Sequence, residues 1–89
     1  MTQAVMYTTR WCPYCVRARS LLEQEGVSYR EIAVDGDRQL RAEMMASSGR
    51  HTVPQIWIGE THVGGYTDLR AIHQRGELSQ LLAAANINQ

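Results

Sequence analysis

Apolar positions along the 89 residues fall into short alternating and helical stretches that succeed one another with few residues between them. "AVMYTT" at 4–9 puts Val5 and Tyr7 on one side of an extended chain and Met6 and Thr8 on the other, which predicts a central strand. The period then changes. Cys15, Ala18, Leu21 and Leu22 recur at helical spacing, and Gly26 supplies the stop. "VSYREIAV" at 27–34 alternates imperfectly, but its β-branched content predicts a second strand. "DGD" at 35–37 is a turn whose Asp37 caps a helix carrying Leu40, Met44 and Met45 and ending at Gly49. "VPQIWI" at 53–58, a Gly59–Glu60 turn and "THVGG" at 61–65 predict a hairpin. Beyond it, Thr67 or Asp68 caps "LRAIHQRG", and Leu78, Leu81 and Leu82 let a final helix dock.

The order is therefore βαβ, then α, then ββα and a short last helix. Two strands joined through a helix pair in parallel with a right-handed crossover, whereas a hairpin adds antiparallel strands. The predicted class is α/β, a four-stranded mixed sheet (βαβ plus ββα) flanked by helices, and this layout resembles the thioredoxin-like fold. With 44% hydrophobic residues and no repeat or linker, the chain fits one domain over 1–89. Nine arginines, with no lysine, balance nine Asp plus Glu, so no net field recruits nucleic acid or an anionic membrane. There is no run of eighteen apolar residues, and "MTQAVMYTTR" lacks the basic start and apolar stretch of a signal peptide, so a cytoplasmic protein is expected.

That expectation bears on "CPYC", Cys12 to Cys15, which holds the only two cysteines. Static disulfides are disfavoured in a reducing compartment, leaving a redox pair or a metal site. A structural zinc wants four ligands, and His51, His62 and His73 lack the usual paired spacing, so no metal is expected. At the junction of the first strand and first helix, unpaired backbone N–H groups point at Cys12 and favour its thiolate. Pro13 suits the first helical position, where an N–H would go unused. Cys15, one turn on and in line with Ala18 and Leu22, is expected to be buried. Cys12 is then the attacking sulfur and Cys15 the resolving one.

Magnitudes qualify the benefit. A drop from about 8.5 to about 5 in the Cys12 pKa represents about 4.8 kcal/mol of thiolate preference. A helix end supplies at most about 2 kcal/mol of that, and direct hydrogen bonds or nearby Arg10 and Arg17 are left to supply the rest. With such a drop the thiolate fraction at pH 7 would rise about 30-fold while intrinsic nucleophilicity would fall about 50-fold, so the gain would lie in leaving-group ability.

Two later segments add a binding surface. In "HTVPQIWI", Pro54 opens a strand, where its missing N–H is tolerated, and a cis Val53–Pro54 bond could hold a turn beside the thiol. An ordinary trans proline fits the same pattern. In "GGYTDL", Gly64 and Gly65 permit close backbone approach, and the N–H groups of Tyr66, Thr67 and Asp68 form a carboxylate site at a helix start. Asp68 can accept a hydrogen bond from a ligand ammonium. A plain glycine turn before a capped helix is the alternative.

"CPYC" at 12–15, "TVP" at 52–54 and "GGYTDL" at 64–69, in this order and spacing, resemble the dithiol glutaredoxins over nearly the whole chain. The resemblance implies a glutathione-dependent oxidoreductase in which Cys12 receives glutathione and Cys15 closes an internal disulfide. It implies a cis Pro54, backbone pairing of glutathione through Val53, recognition of its γ-glutamyl end by Tyr66, Thr67 and Asp68, and a place for Gly65 in the same glutathione site. Tyr14 and Thr52 match groove positions. A lysine common in the family before CPYC is missing from "TTRW", where Thr9 takes its place and Arg10 is the candidate substitute. Trp11 either shapes the groove or is partly buried. The implied partners are glutathione and disulfide-containing or glutathionylated proteins, met by a monomer. Two rival readings are a redoxin reduced by a flavoprotein and a binder of a two-iron two-sulfur cluster ligated by Cys12 and glutathione.

Overall fold

The computed structural model describes residues 2–87. Its elements are β1 (Ala4–Thr8), α1 (Pro13–Gln24), β2 (Tyr29–Ala33), α2 (Arg38–Ser48), β3 (Gln55–Ile58), β4 (Thr61–Gly64), α3 (Tyr66–Gln74) and α4 (Leu78–Ile87). The strands form one sheet in the order β2-β1-β3-β4. β1 pairs in parallel with β2, Ala4 opposite Tyr29, and antiparallel with β3, Ala4 opposite Ile58. β3 and β4 make the expected hairpin, with an irregularity between Ile56 and Trp57. The central position predicted for β1 is observed, and the mixed sheet follows from one helical crossover and one hairpin.

Period-two alternation in β1 and β3 sorts the two faces of the sheet. Ala4, Met6, Ile56 and Ile58 pack in one core cluster with Ala18 and Leu22 of α1, Leu69 of α3 and Leu78 of α4. On the other face, Tyr7 and Trp57 meet edge-on with ring centroids 5.4 Å apart. Asp37 caps α2 through its side chain, which accepts the Leu40 N–H, as predicted. Met44 is buried, but Met45 faces solvent because successive helical residues point about 100° apart.

The start of α3 differs from expectation. Helix geometry begins at Tyr66 and the cap is Gly65, not Thr67 or Asp68. Asp68 sits at the third helical position instead, where its carboxylate reaches back to accept the Gly65 N–H at 2.9 Å. Capping by a reaching-back side chain leaves no local mark at the cap itself, so the pattern placed the boundary too late.

Candidate active site

Pro13 occupies the first position of α1 and Cys12 its N-cap, in an extended conformation (φ −118°, ψ 105°). The Cys15 N–H donates to Cys12 Sγ at 3.1 Å, so a thiol sulfur stands where a serine or aspartate oxygen usually caps a helix. A donor in that position stabilises negative charge on sulfur. Cys12 Sγ also lies 3.7 Å from the Val53 carbonyl oxygen, across 41 residues of sequence. Both cysteines are free thiols, Cys12 partly exposed and Cys15 buried.

Burial is the main reason the Cys15 thiol is pushed up to about 12, and its hydrogen bond with Cys12 adds to it. A backbone contact from Thr9 works the other way but is outweighed. Cys15 therefore stays protonated at neutral pH. The sign follows: the protonated thiol's stabilising contribution is complete below the ordinary thiol range and is lost as pH climbs towards 12.

The helix bearing this pair is fixed to the sheet by Glu31 of β2. Its carboxylate accepts two hydrogen bonds from Arg19 of α1, at 2.9 and 2.7 Å, and one from the Thr8 hydroxyl of β1, at 3.0 Å. The Arg19 guanidinium is the main cause that holds the Glu31 carboxyl below its usual range. A fork of this kind resists rotation of α1 against β1 and β2, the motion that would displace Cys12.

Beside Cys12 lies a groove of about 270 Å³. One wall carries Tyr14, Thr52, Val53 and Pro54; the other carries Gly65, Tyr66, Thr67 and Asp68. The Val53–Pro54 bond is cis. The structure thus brings together the eight groove positions anticipated from sequence. It adds a ninth residue, Arg50, whose guanidinium donates to Asp68 Oδ2 at 2.9 Å. Arg50, and secondarily the Gly65 N–H, lower the Asp68 carboxyl below its ordinary range. Both bonds use Oδ2. Oδ1 remains available, beside the Tyr66, Thr67 and Asp68 N–H groups that have no carbonyl to bond within the helix.

Behind this groove runs a polar chain, buried at Gln55, that sequence reasoning missed. Gln55 is fully buried, and its amide nitrogen donates to the Thr52 carbonyl at 3.1 Å and the Thr52 hydroxyl at 3.3 Å. That fixes the amide's orientation and turns Oε1 towards His62, 2.8 Å away, so His62 Nε2 carries the proton and donates. Burial is the first cause that lowers the His62 pKa, with the Arg50 charge second. His62 also stacks near Trp57, centroids 4.6 Å apart. The one usable signal was a glutamine in an otherwise apolar strand, on the Tyr7 and Trp57 face of the sheet rather than the core face.

Thr9 and Arg10 are not in this groove. They line a separate depression with Arg19, Glu31 and Asp35, and Arg10 pairs with Asp35 at 3.7 Å. Arg17 lies over the Tyr14 ring, 5.4 Å from its centroid. Neither arginine hydrogen-bonds Cys12 among the described residues; Arg10 is directed to Asp35 and Arg17 to Tyr14. Trp11 is 89% exposed, which excludes core burial. Among the described residues no three His, Cys, Asp or Glu side chains gather as a metal site.

The glutaredoxin family model matches residues 4–63. A glutaredoxin of Pseudomonas aeruginosa is 57% identical over 84 residues, covering 94% of this chain and 100% of the relative. Glutaredoxin 3 of Escherichia coli is 49% identical over 82 residues, covering 92% and 99%. The crystal structure of a buckwheat glutaredoxin–glutathione complex superposes with a TM-score of 0.86 at 29% identity, over 94% of this chain and 79% of that one. The layout is the thioredoxin-like one that the order of elements predicts, and with matches of this extent the chain belongs to the glutaredoxin family of thiol–disulfide oxidoreductases.

Proposed function

We propose that the chain reduces protein–glutathione mixed disulfides and protein disulfides at the expense of glutathione. The observation that carries this reading is the shared groove. Cys12 Sγ and the Val53 carbonyl face each other at one end, and the α3 N–H donors stand with Asp68 and Arg50 at the other. Glutathione carries a carboxylate and an ammonium on one terminal residue, a peptide-like middle and a thiol. The helix start and Arg50 suit the carboxylate, Asp68 Oδ1 suits the ammonium, and the Val53 backbone suits the peptide in the manner of an added strand. The buckwheat protein's complex with glutathione supports the same ligand here.

In the first reaction the Cys12 thiolate attacks the glutathione sulfur of a mixed disulfide. The sulfur–sulfur bond breaks, the protein thiolate leaves and takes a proton, and Cys12 holds glutathione. The thiolate of a second glutathione attacks that sulfur, returning Cys12 as thiolate and releasing oxidised glutathione. With a protein disulfide, Cys12 forms the mixed disulfide with substrate. Cys15 then passes its proton to the departing thiolate and attacks Cys12 Sγ, closing an internal disulfide that two glutathiones reopen. The buried, protonated Cys15 fits the resolving part because it does not compete with Cys12 for the first attack.

A coupled assay tests the reading against reduction by a flavoprotein. Turnover is expected with glutathione and its reductase, and little with a thioredoxin reductase supplied instead. Sustained turnover with thioredoxin reductase alone, and none with glutathione, would overturn it.

A further inference from the structure

A second groove, of about 380 Å³, runs between α1 and α3, and Tyr66 forms part of both grooves. Arg17 of α1 and Arg70 and His73 of α3 line it, and no Asp or Glu does. Arg10, Arg19, Arg50 and Arg75 each meet a carboxylate. Among the described residues Arg17 and Arg70 make no such pair. His73 is turned to Glu25 at 3.3 Å, so the acidic group at that end is already engaged. Arg17 lies over Tyr14, whose ring is 6.4 Å from that of Tyr66, which places one unpaired charge beside the wall of the thiol groove. In a chain of zero net charge, two guanidiniums without carboxylate partners on one groove make a local field of one sign.

A folded or extended substrate that brings its disulfide to Cys12 lays the flanking chain over the surface next to the thiol groove. We propose that the α1–α3 groove docks the acidic flank of a protein substrate, a segment with Asp or Glu near the reacting cysteine whose carboxylates meet Arg17 and Arg70. This rests on the glutathione-dependent reading above. Exposed charge pairs of this kind act mainly on encounter rate and choice of partner, and they weaken with salt.

The test compares three glutathionylated peptides that differ only in whether the cysteine is flanked by Glu, Ser or Lys, alongside a small disulfide such as bis(2-hydroxyethyl) disulfide. At low salt, kcat/KM is expected to be about threefold to tenfold higher for the acidic peptide than for the serine one, and lowest for the lysine peptide. In Arg70→Glu that preference is expected to vanish or invert while small-disulfide turnover stays unchanged. Arg17→Glu checks the second contact from the other helix. Equal kcat/KM for the acidic and serine peptides, with normal small-disulfide turnover, overturns the docking surface alone; so does an acid preference that survives both substitutions. No turnover of any substrate with glutathione overturns the glutathione reading, and the docking proposal falls with it. Concentration-dependent self-association abolished by Arg70→Glu would assign the groove to a second copy of this chain and also overturn the proposal.

Discussion

The molecule builds two helix starts in opposite ways. At α1 the cap is Cys12, and its sulfur takes the Cys15 N–H, so the group that satisfies the helix is the thiol proposed to react. At α3 the cap is Gly65, which has no side chain to offer, and the carboxylate of Asp68 bonds the Gly65 N–H rather than the donors within the helix. The α1 start therefore tunes an atom of the chain itself. The α3 start leaves its donors without an acceptor from the cap side chain. On the glutathione-dependent reading proposed above, the same unpaired N–H groups serve a nucleophile in one place and a ligand site in the other, and the difference lies in which residue stands at the cap.

Removing the reactive cap is the most severe way to break this contrast. Cys12→Ser is expected to abolish turnover of every disulfide substrate while leaving the fold intact, since a serine oxygen can still accept the Cys15 N–H. Cys15→Ser is expected to retain deglutathionylation and to lose reduction of substrates that need a second thiol. Parallel assays on a glutathionylated peptide and a protein disulfide separate the two. Equal loss of both activities in Cys15→Ser would end the division of labour between the sulfurs.

The next effect falls on the approach to α3. Gly64 has φ +117°, a conformation L side chains rarely adopt, and a Cβ there would collide with the Asp68 carboxylate and crowd Arg50 at 2.9 Å. Gly64→Ala is expected to cost about 1–3 kcal/mol of stability. It should also raise the KM for glutathione, because the displaced carboxylate is part of the groove. Urea unfolding and steady-state kinetics read the two consequences. An unchanged unfolding midpoint would show that the backbone there relaxes at little cost.

The two helix starts also differ in how far they could be read from sequence. The α1 start was legible because its determinants are local: a strand, Cys12, Pro13 and the helical stripe through Cys15 lie within a short stretch. At α3 the groove residues were legible mainly through resemblance, and the cap was misplaced because Asp68 works backwards onto Gly65. Arg50 carried no local signal, since its partner is 18 residues away and an arginine after a helix is ordinarily solvated. Gln55 and His62 were missed for a related reason. A glutamine in an apolar strand marks a position without naming its partners, and the link from His62 through Gln55 exists only once the β3–β4 hairpin closes. Side-chain direction was not legible for the arginines before and after CPYC, because proximity in sequence does not set it: Arg10 turns to Asp35 and Arg17 to Tyr14.

The smallest and most discriminating change exploits the contrast between adjacent glycines. Gly65 has φ −91°, which any residue adopts, and a Cβ there meets the Pro54 carbonyl oxygen at 3.5 Å, an ordinary contact. Gly65→Ser therefore fits, and it converts the α3 start into the α1 kind by supplying an oxygen that can accept the Thr67 or Asp68 N–H. A better cap adds a few tenths of a kcal/mol to stability. If those donors hold a ligand carboxylate, the serine oxygen competes for them, and loss of one net hydrogen bond raises the KM for glutathione about twofold to tenfold. Stability and affinity are then expected to move in opposite directions, a pairing that general damage to the fold does not produce. Gly65→Ala separates the cap from the added bulk, since it brings the same Cβ without an acceptor, and it is expected to leave KM nearer the parent value. A KM raised equally by alanine and serine would assign the effect to crowding against Pro54 and remove the α3 N–H groups from glutathione recognition.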